Sequence, residues 1–308
     1  EELEMLEMAG AEFDSGEILA GHTTPVFFGS AMNNFGVELI LNGFLHHAPP
    51  PQGRPSNGEF IQPSDGAFSG FIFKIQANMD PKHRDRVAYI RICSGRFERD
   101  MTVYHSRTGR KVRLASSHRL FGKERETLNE AFAGDIIGLV GHSDFGIGDT
   151  LTSKKGVEFH EIPRFTPESF SYLHNTDTGK FKQFRQGLDQ LLQEGAIQCL
   201  TLRGSAVTAP VLAAVGPLQF DVVQFRLENE YNAVSRLETA PWSVVRWLPA
   251  GYTEEEMDKL SPPTGSRFGW DSDRKPVLLF ASDWAAGYFQ QNNESLKLAK
   301  EPPLWNGS

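Results

Sequence analysis

Between residues 66 and 162 the chain offers only short β-type runs and no helical segment long enough to cover a sheet, which narrows its possible folds more than any other feature. Phe71, Phe73 and Ile75 alternate with Ile72, Lys74 and Gln76; VAYIRICSG (87–95), MTVYHS (101–106), KVRLAS (111–116), DIIGLVG (135–141) and DTLTS (149–153) follow. Arg107-Thr108-Gly109-Arg110 separates two of these runs as a tight hairpin would. Six or more short strands without a covering helix predict a closed antiparallel barrel.

After Ile162-Pro163 the period changes, and PRFTPESFSYL (163–173) reads as extended. FKQFRQGLDQLLQEGA (181–196) places Phe181, Phe184, Leu188, Leu191 and Leu192 on one helical face closed by Gly195. AIQCLTL (196–202) and APVLAAVG (209–216) read as strands. Pro217 then opens a second helix with Leu218, Val222 and Phe225 on one stripe and Phe220, Val223 and Leu227 on another. Phe220 and Phe225 are the expected core residues of that helix. With AVSRLETA (233–240) the order is β-α-β-β-α-β, an α+β split-βαβ, ferredoxin-like domain. SVVRWLPAG (243–251) and PVLLFASD (276–283) add strands, a helix starts near Trp284, and part of this tail is expected to close back over the barrel.

The first 53 residues differ in character. They hold eight acids and no Lys or Arg, whereas residues 82–125 hold thirteen Lys or Arg against Asp85, Glu98, Asp100 and Glu124, a block suited to a polyanionic partner. In TPVFFGSAMNNFGVEL (24–39), Val26-Phe27-Phe28 reads as a buried strand, Gly29-Ser30-Ala31 as a tight loop and the residues from Gly36 as a helix, an α/β pattern. The stretch His46-His47-Ala48-Pro49-Pro50-Pro51-Gln52-Gly53-Arg54-Pro55 cannot continue a helix and reads as a stiff linker. Its histidines have no Cys, Asp or Glu at ligand spacing, so no metal site is expected. The resulting division is 1–48, a linker at 49–60, a barrel over 61–162 and an α+β domain over 163–308.

Several functions are argued against. No G-x-x-x-x-G-K-[ST] string occurs; Gly122-Lys123 is followed by Glu124 and lacks the upstream glycine, and Asp135-Ile136-Ile137-Gly138 lies in a strand. There is no N-K-x-D either, so no catalytic residue is expected in this chain. Two cysteines, Cys93 and Cys199, and the lack of a secretory leader point to a reducing cytosol. No apolar run reaches 18 residues, so neither a membrane span nor a membrane partner is expected, and nothing suggests DNA.

RVAYIRICSGRFERDM followed by AFAGDIIGLVGHSDFGIGDTL resembles the second domain of translational GTPases, with the departure Arg99-Asp100-Met101 where those factors usually have Gly-Asp or Gly-Met. Ser30-Ala31 resembles the last guanine-contacting loop of their nucleotide domain. QEGAIQCLTLRGS with VLAAVGPLQFDVVQFRLENEYN closely resembles the bacterial release factor 3 family, and Gln219-Phe220-Asp221 favours it over the related G-x-L-H-L-x-V pattern of elongation factor G. The resemblance implies the C-terminal portion of a longer protein: a remnant of the GTP-binding domain contacting nucleotide through Ser30 and Ala31, then a barrel resting on ribosomal RNA. Arg96, Arg99, Arg107, Arg110 and Lys111 are the candidate RNA contacts, the loop arginines Arg96 and Arg99 foremost. The polar positions Gln219, Gln224 and Glu228 are the candidate surface toward the nucleotide domain or the ribosome, and are expected to be replaceable with little effect on folding. The implied activity is dissociation of class I release factors from the ribosome, with GTP or GDP and magnesium held by the parent and no cofactor by this chain. A stand-alone RNA-binding module and an elongation or ribosome-rescue GTPase are the other readings.

Overall fold

The computed structural model describes residues 4–5, 8, 10, 14–77, 86–121, 124–160, 162, 165–204, 209–249 and 251–301. Lys82, Arg84 and Lys123 of the basic block lie outside the described residues. The chain divides into two units, Glu1–Gly53 and Arg54–Ser308.

Among the described residues, the first unit includes the helices α1 (Ser15–Leu19) and α2 (Val37–His47). Asp14 caps α1, its carboxylate accepting from the Gly16 amide at 2.7 Å. The expected strand Val26-Phe27-Phe28 is instead extended backbone without a ladder partner among the described residues, with Val26 71% and Phe28 85% exposed. A lone β run has nothing to receive its main-chain donors and acceptors, so hydrophobicity alone does not make it a strand. Helix α2 buries no residue, and Leu39, Leu41, Phe44 and Leu45 are all exposed.

The second unit opens with the hairpin β1 (Arg54–Ser56) and β2 (Glu59–Ile61). The barrel strands are β3 (Ser69–Ala77), β4 (Arg86–Ser94), β5 (Arg96–Glu98), β6 (Thr102–His105), β7 (Arg110–Arg113), β8 (Ser117–Phe121), β9 (Glu124–Thr127), β10 (Glu130–Phe132), β11 (Ile136–Val140) and β12 (Thr150–Thr152). Eight of them form one antiparallel sheet in the order β7-β6-β12-β3-β4-β11-β8-β9, and β5 pairs with β10 as a separate ribbon. The sheet curls around a core that joins Ile72 and Ile75 of β3, Ile90 and Ile92 of β4, Val103 of β6 and Ile137 and Leu139 of β11 with Phe68, Phe97 and Leu114, and a second cluster gathers Phe71 of β3 and Cys93 of β4 with Ile61, Val157 and Phe159. Complete burial of a side chain of this size stabilises by about 1.5–3 kcal/mol. The alternation expected on β3 is broken by an irregularity between Ile72 and Lys74, which puts Ile72 with Ile75 in the first core while Phe71 and Phe73 pack in the second cluster. The outermost strands β7 and β9 are not paired with each other among the described residues. Arg107-Thr108-Gly109 forms the expected tight connection, a single 3-10 turn ended by Gly109 between β6 and β7.

The C-terminal part contains β13 (Ser169–Asn175), α3 (Phe181–Gln193), β14 (Gln198–Leu202), β15 (Val211–Ala214), α4 (Leu218–Tyr231) and β16 (Ser235–Thr239), with strand order β16-β13-β15-β14. All pairs are antiparallel, which is the ferredoxin-like arrangement the sequence predicts. Phe184, Leu188 and Leu191 of α3 and Phe220, Val223 and Leu227 of α4 are buried in one core with Leu173 and Leu212. The helices meet at Gly187, where a Cβ would lie 2.7 Å from the Tyr231 ring and 2.8 Å from Leu227. Two side chains do not follow the sequence expectation: Phe181 is 55% exposed and Phe225 67% exposed. Both stand on the solvent side of their helices, because a core two layers deep needs only one stripe of each.

The tail also departs from expectation. β17 (Val244–Trp247), β18 (Arg267–Trp270) and β19 (Pro276–Phe280) extend the ferredoxin-like sheet to seven strands, β18 joining β14 through Thr201 opposite Trp270 and Leu202 opposite Gly269. Both faces of β19 are buried: Val277 and Leu279 pack with Trp247, Trp242 and Phe170, and Leu278 and Phe280 with Ala285, Ala286 and Phe289 of α6 (Asp283–Asn292). The short helix α5 (Glu254–Asp258) is held by a capping box between Thr253 and Glu256. A strand apolar on both sides needs a layer on each, and this domain supplies both, so the tail covers its own sheet, while its Asp273 lies near enough to the barrel's Arg107 to add to the Asp149 hydrogen bond in raising that guanidinium's pKa.

Candidate interaction surfaces

In the first unit the loop after residue 29 closes on itself. The Ser30 amide donates to the Phe35 carbonyl at 2.8 Å and the Phe35 amide to the Ser30 carbonyl at 3.0 Å, while the Ser30 hydroxyl accepts from the Asn33 amide at 3.3 Å. Ser30 is half-buried and Ala31 exposed. The pair therefore sits at the start of a closed loop in which the Ser30 amide and carbonyl are both taken by Phe35.

On the barrel the candidate cations fall into distinct environments. Arg96, on β5, pairs with Glu130 across the ribbon at 2.6 Å and lies over the Phe132 ring. Arg99 is exposed, its Nε donating to the Ala115 carbonyl at 3.2 Å, beside the Arg113–Asp100 pair at 3.0 Å. Arg110 is exposed at the start of β7, and Lys111 stands over the Tyr104 ring, which Lys155 also approaches. Arg99, Arg110, Lys111 and Arg113 are thus gathered on the β6–β7 ribbon and its flanks, while Arg96 belongs to the separate β5–β10 ribbon.

Arg107 has another task. Its Nε donates to Asp149 Oδ1 at 2.6 Å and one terminal nitrogen to Asp149 Oδ2 at 2.9 Å and the Asp144 carbonyl at 2.8 Å. Asp149 also accepts from the His105 ring at 2.7 Å and the Gly146 amide at 2.6 Å, and both Asp149 and His105 are buried. Burial raises the Asp149 carboxyl, but the hydrogen bonds from Arg107, His105 and Gly146 outweigh it and hold it at about 2. Arg86 completes the clamp by donating to the Ser143 and Phe145 carbonyls. The segment 141–149 is pinned to β4 and β6 by this network, which engages Arg107 through Nε and one terminal nitrogen while its side chain remains 46% exposed.

On α4, Gln219 accepts from the Gly216 amide at 3.1 Å and donates to the Ala196 carbonyl at 2.7 Å, and Gln224 donates to the Ser235 carbonyl at 2.7 Å. Both glutamines tie the helix to neighbouring segments, hydrogen bonds that their replacement would remove. Glu228 is exposed. The outward stripe is instead apolar: Leu218 is 71%, Val222 47% and Phe225 67% exposed. Its i, i+4, i+7 spacing was visible in the sequence, but two apolar stripes on one helix do not reveal which is inside.

Two family models match in succession: elongation factor G domain 2 over residues 67–154, and the C-terminal domain of the class II release factor RF3 over residues 159–290. Curated relatives named peptide chain release factor 3 align with all or nearly all of the chain. The Rippkaea orientalis protein is 47% identical over 308 residues, 100% of this chain and 57% of the relative, and the Gloeobacter violaceus protein 48% identical over 306 residues, 99% and 57%. The chain is homologous to the C-terminal portion of release factor 3. It spans a little over half the length of these relatives. A crystal structure from Thermus thermophilus shares the fold, with a TM-score of 0.58 at 21% identity, covering 88% of this chain and 40% of that one.

Within this release factor 3 portion, the matched regions follow the two architectures in order, barrel and then extended ferredoxin-like domain. Among the described residues no group of three or more His, Cys, Asp or Glu could hold a metal ion, and no helix is long and apolar enough to cross a membrane.

Proposed function

We propose that the chain supplies the ribosome-facing and coupling domains of a translation termination factor. Joined to a complete GTP-binding domain, it promotes GTP-dependent dissociation of class I release factors from the ribosome in the cytoplasm. The nucleotide and magnesium belong to that larger protein, and Ser30 and Ala31 are the part of the guanine contact this chain contributes. The observation that carries the reading is the match to release factor 3 relatives over the entire 308 residues, with the termination-factor domain model falling on the C-terminal sheet. The decisive assay follows a labelled class I release factor on post-release ribosomes with the full-length protein and GTP. Unchanged residence of the labelled factor would overturn the proposal.

Two further outcomes are expected. The isolated chain should show a flat titration with labelled GTP into the high micromolar range, because it contains neither a phosphate loop nor the N-K-x-D string. Saturable micromolar binding would contradict this. For the barrel, ribosomal RNA and proteins are the proposed partners, and the exposed Arg99 and Arg110 are better contacts than Arg96, paired with Glu130, or Arg107, paired with Asp149. Replacing Arg99 and Arg110 together by Ala should weaken ribosome association of the full-length factor and flatten its salt dependence by about one power of salt for each phosphate no longer neutralised. An unchanged slope would make these residues solvated surface only.

A further inference from the structure

Glu194, the residue that follows α3, joins the barrel to the C-terminal domain. One of its carboxylate oxygens accepts the Ala77 amide, at the end of barrel strand β3, at 2.8 Å across 117 positions of sequence. The same carboxylate receives two guanidinium nitrogens of Arg226 on α4, one of them at 3.1 Å. Arg226 is also held by Glu230 one turn on, at 2.6 and 3.0 Å. The side chains of Glu194 and Arg226 are only 9% and 21% exposed, so bulk salt screens the pair weakly. Beside it the barrel's Ile147 side chain seats on Gly195, where a Cβ would lie 2.8 Å from it, and Gly195 has φ of 74°. The segment carrying Ile147 is the one that Asp149 and Arg107 pin in place.

We propose that Glu194 is an interdomain latch: its single carboxylate clasps a barrel main-chain amide and the α4 guanidinium together, so the two domains move as one body while it is closed and reorient when it opens. Two features make such a latch reversible. Breaking a buried ion pair is usually expensive because one charge is stranded, but Arg226 keeps Glu230 when Glu194 leaves. The cleft at the joint is lined by Lys74, Gln76, Glu194, Arg226 and Glu230 beside Ile75, Ala77 and Ala196, so opening wets mostly polar groups.

The test uses the full chain with Glu194→Ala, read by NMR. In the wild type, residual dipolar couplings from the barrel and from the C-terminal domain should fit one alignment tensor. In Glu194→Ala they should require two, with chemical shifts away from the joint preserved and the Ala77 amide exchanging at least about tenfold faster, as expected for loss of a hydrogen bond to a charged acceptor. Glu194→Gln keeps an acceptor for Ala77 but loses the charge toward Arg226, and should fall between the two. A single shared tensor in Glu194→Ala overturns the latch. Should that variant fail to fold, Glu194→Gln and Arg226→Met carry the test, and one shared tensor in both overturns it equally.

Discussion

Replacing Asp149 by Ala is expected to cost the barrel about 3–5 kcal/mol, the usual penalty for removing one partner of a buried charged network. The change leaves the buried His105 ring, the inner nitrogens of Arg107 and the Gly146 amide without their shared acceptor, and frees the 141–149 segment from β6. Urea unfolding followed by tryptophan-independent far-UV signal measures it, and a loss under about 1 kcal/mol, within the range of an ordinary hydrogen bond, would show that the network adds little. The pH dependence has a defined sign. The folded-state value of Asp149, about 2, lies below that of an unfolded carboxylate. Its stabilisation is therefore complete above the unfolded value and is lost as pH falls from about 4 toward 2. The contribution is on the order of 2 kcal/mol, and Asp149→Ala should lose that part of the acid limb.

The second large effect separates two phenylalanines of one helix. Phe220→Ala should destabilise the C-terminal domain by about 3–5 kcal/mol, whereas Phe225→Ala should stay within roughly ±0.5 kcal/mol, because Phe220 is 5% and Phe225 67% exposed. Equal losses in chemical denaturation would mean that the Leu218, Val222 and Phe225 stripe is covered in solution.

These two cases also show what the sequence could and could not convey. The existence of strands in 66–162 and the helix-strand order after 163 were readable because apolar periodicity marks each element, but the inward face of β3 was not, because a bulge between Ile72 and Lys74 brings Ile72 and Ile75 to the same side. The choice between two apolar stripes on α4 depends on where the sheet lies, which no local pattern contains. Arg107 looked like a surface base because its partner, Asp149, stands 42 positions away across the barrel. Gln219 and Gln224 looked free for the same reason, as they bond main-chain carbonyls of other segments. Val26-Phe27-Phe28 was misread in the opposite direction: its composition suits a strand, but pairing is a property of neighbours and not of residues.

The seven-stranded sheet changes what counts as the smallest self-sufficient piece of this domain. In a four-stranded ferredoxin-like fold β14 would be an outer strand, with a free row of amides and carbonyls open to any passing extended chain. Here β18 occupies that row, and on the far side β17 is itself partly closed by main-chain bonds between Trp247 and Ala299. A boundary drawn after Thr239, where the ferredoxin-like repeat is formally complete, would bare β14 and strip Trp247, Val277 and Leu279 from the core beneath it. The tail thus occupies a row of main-chain donors and acceptors that a four-stranded sheet would leave open.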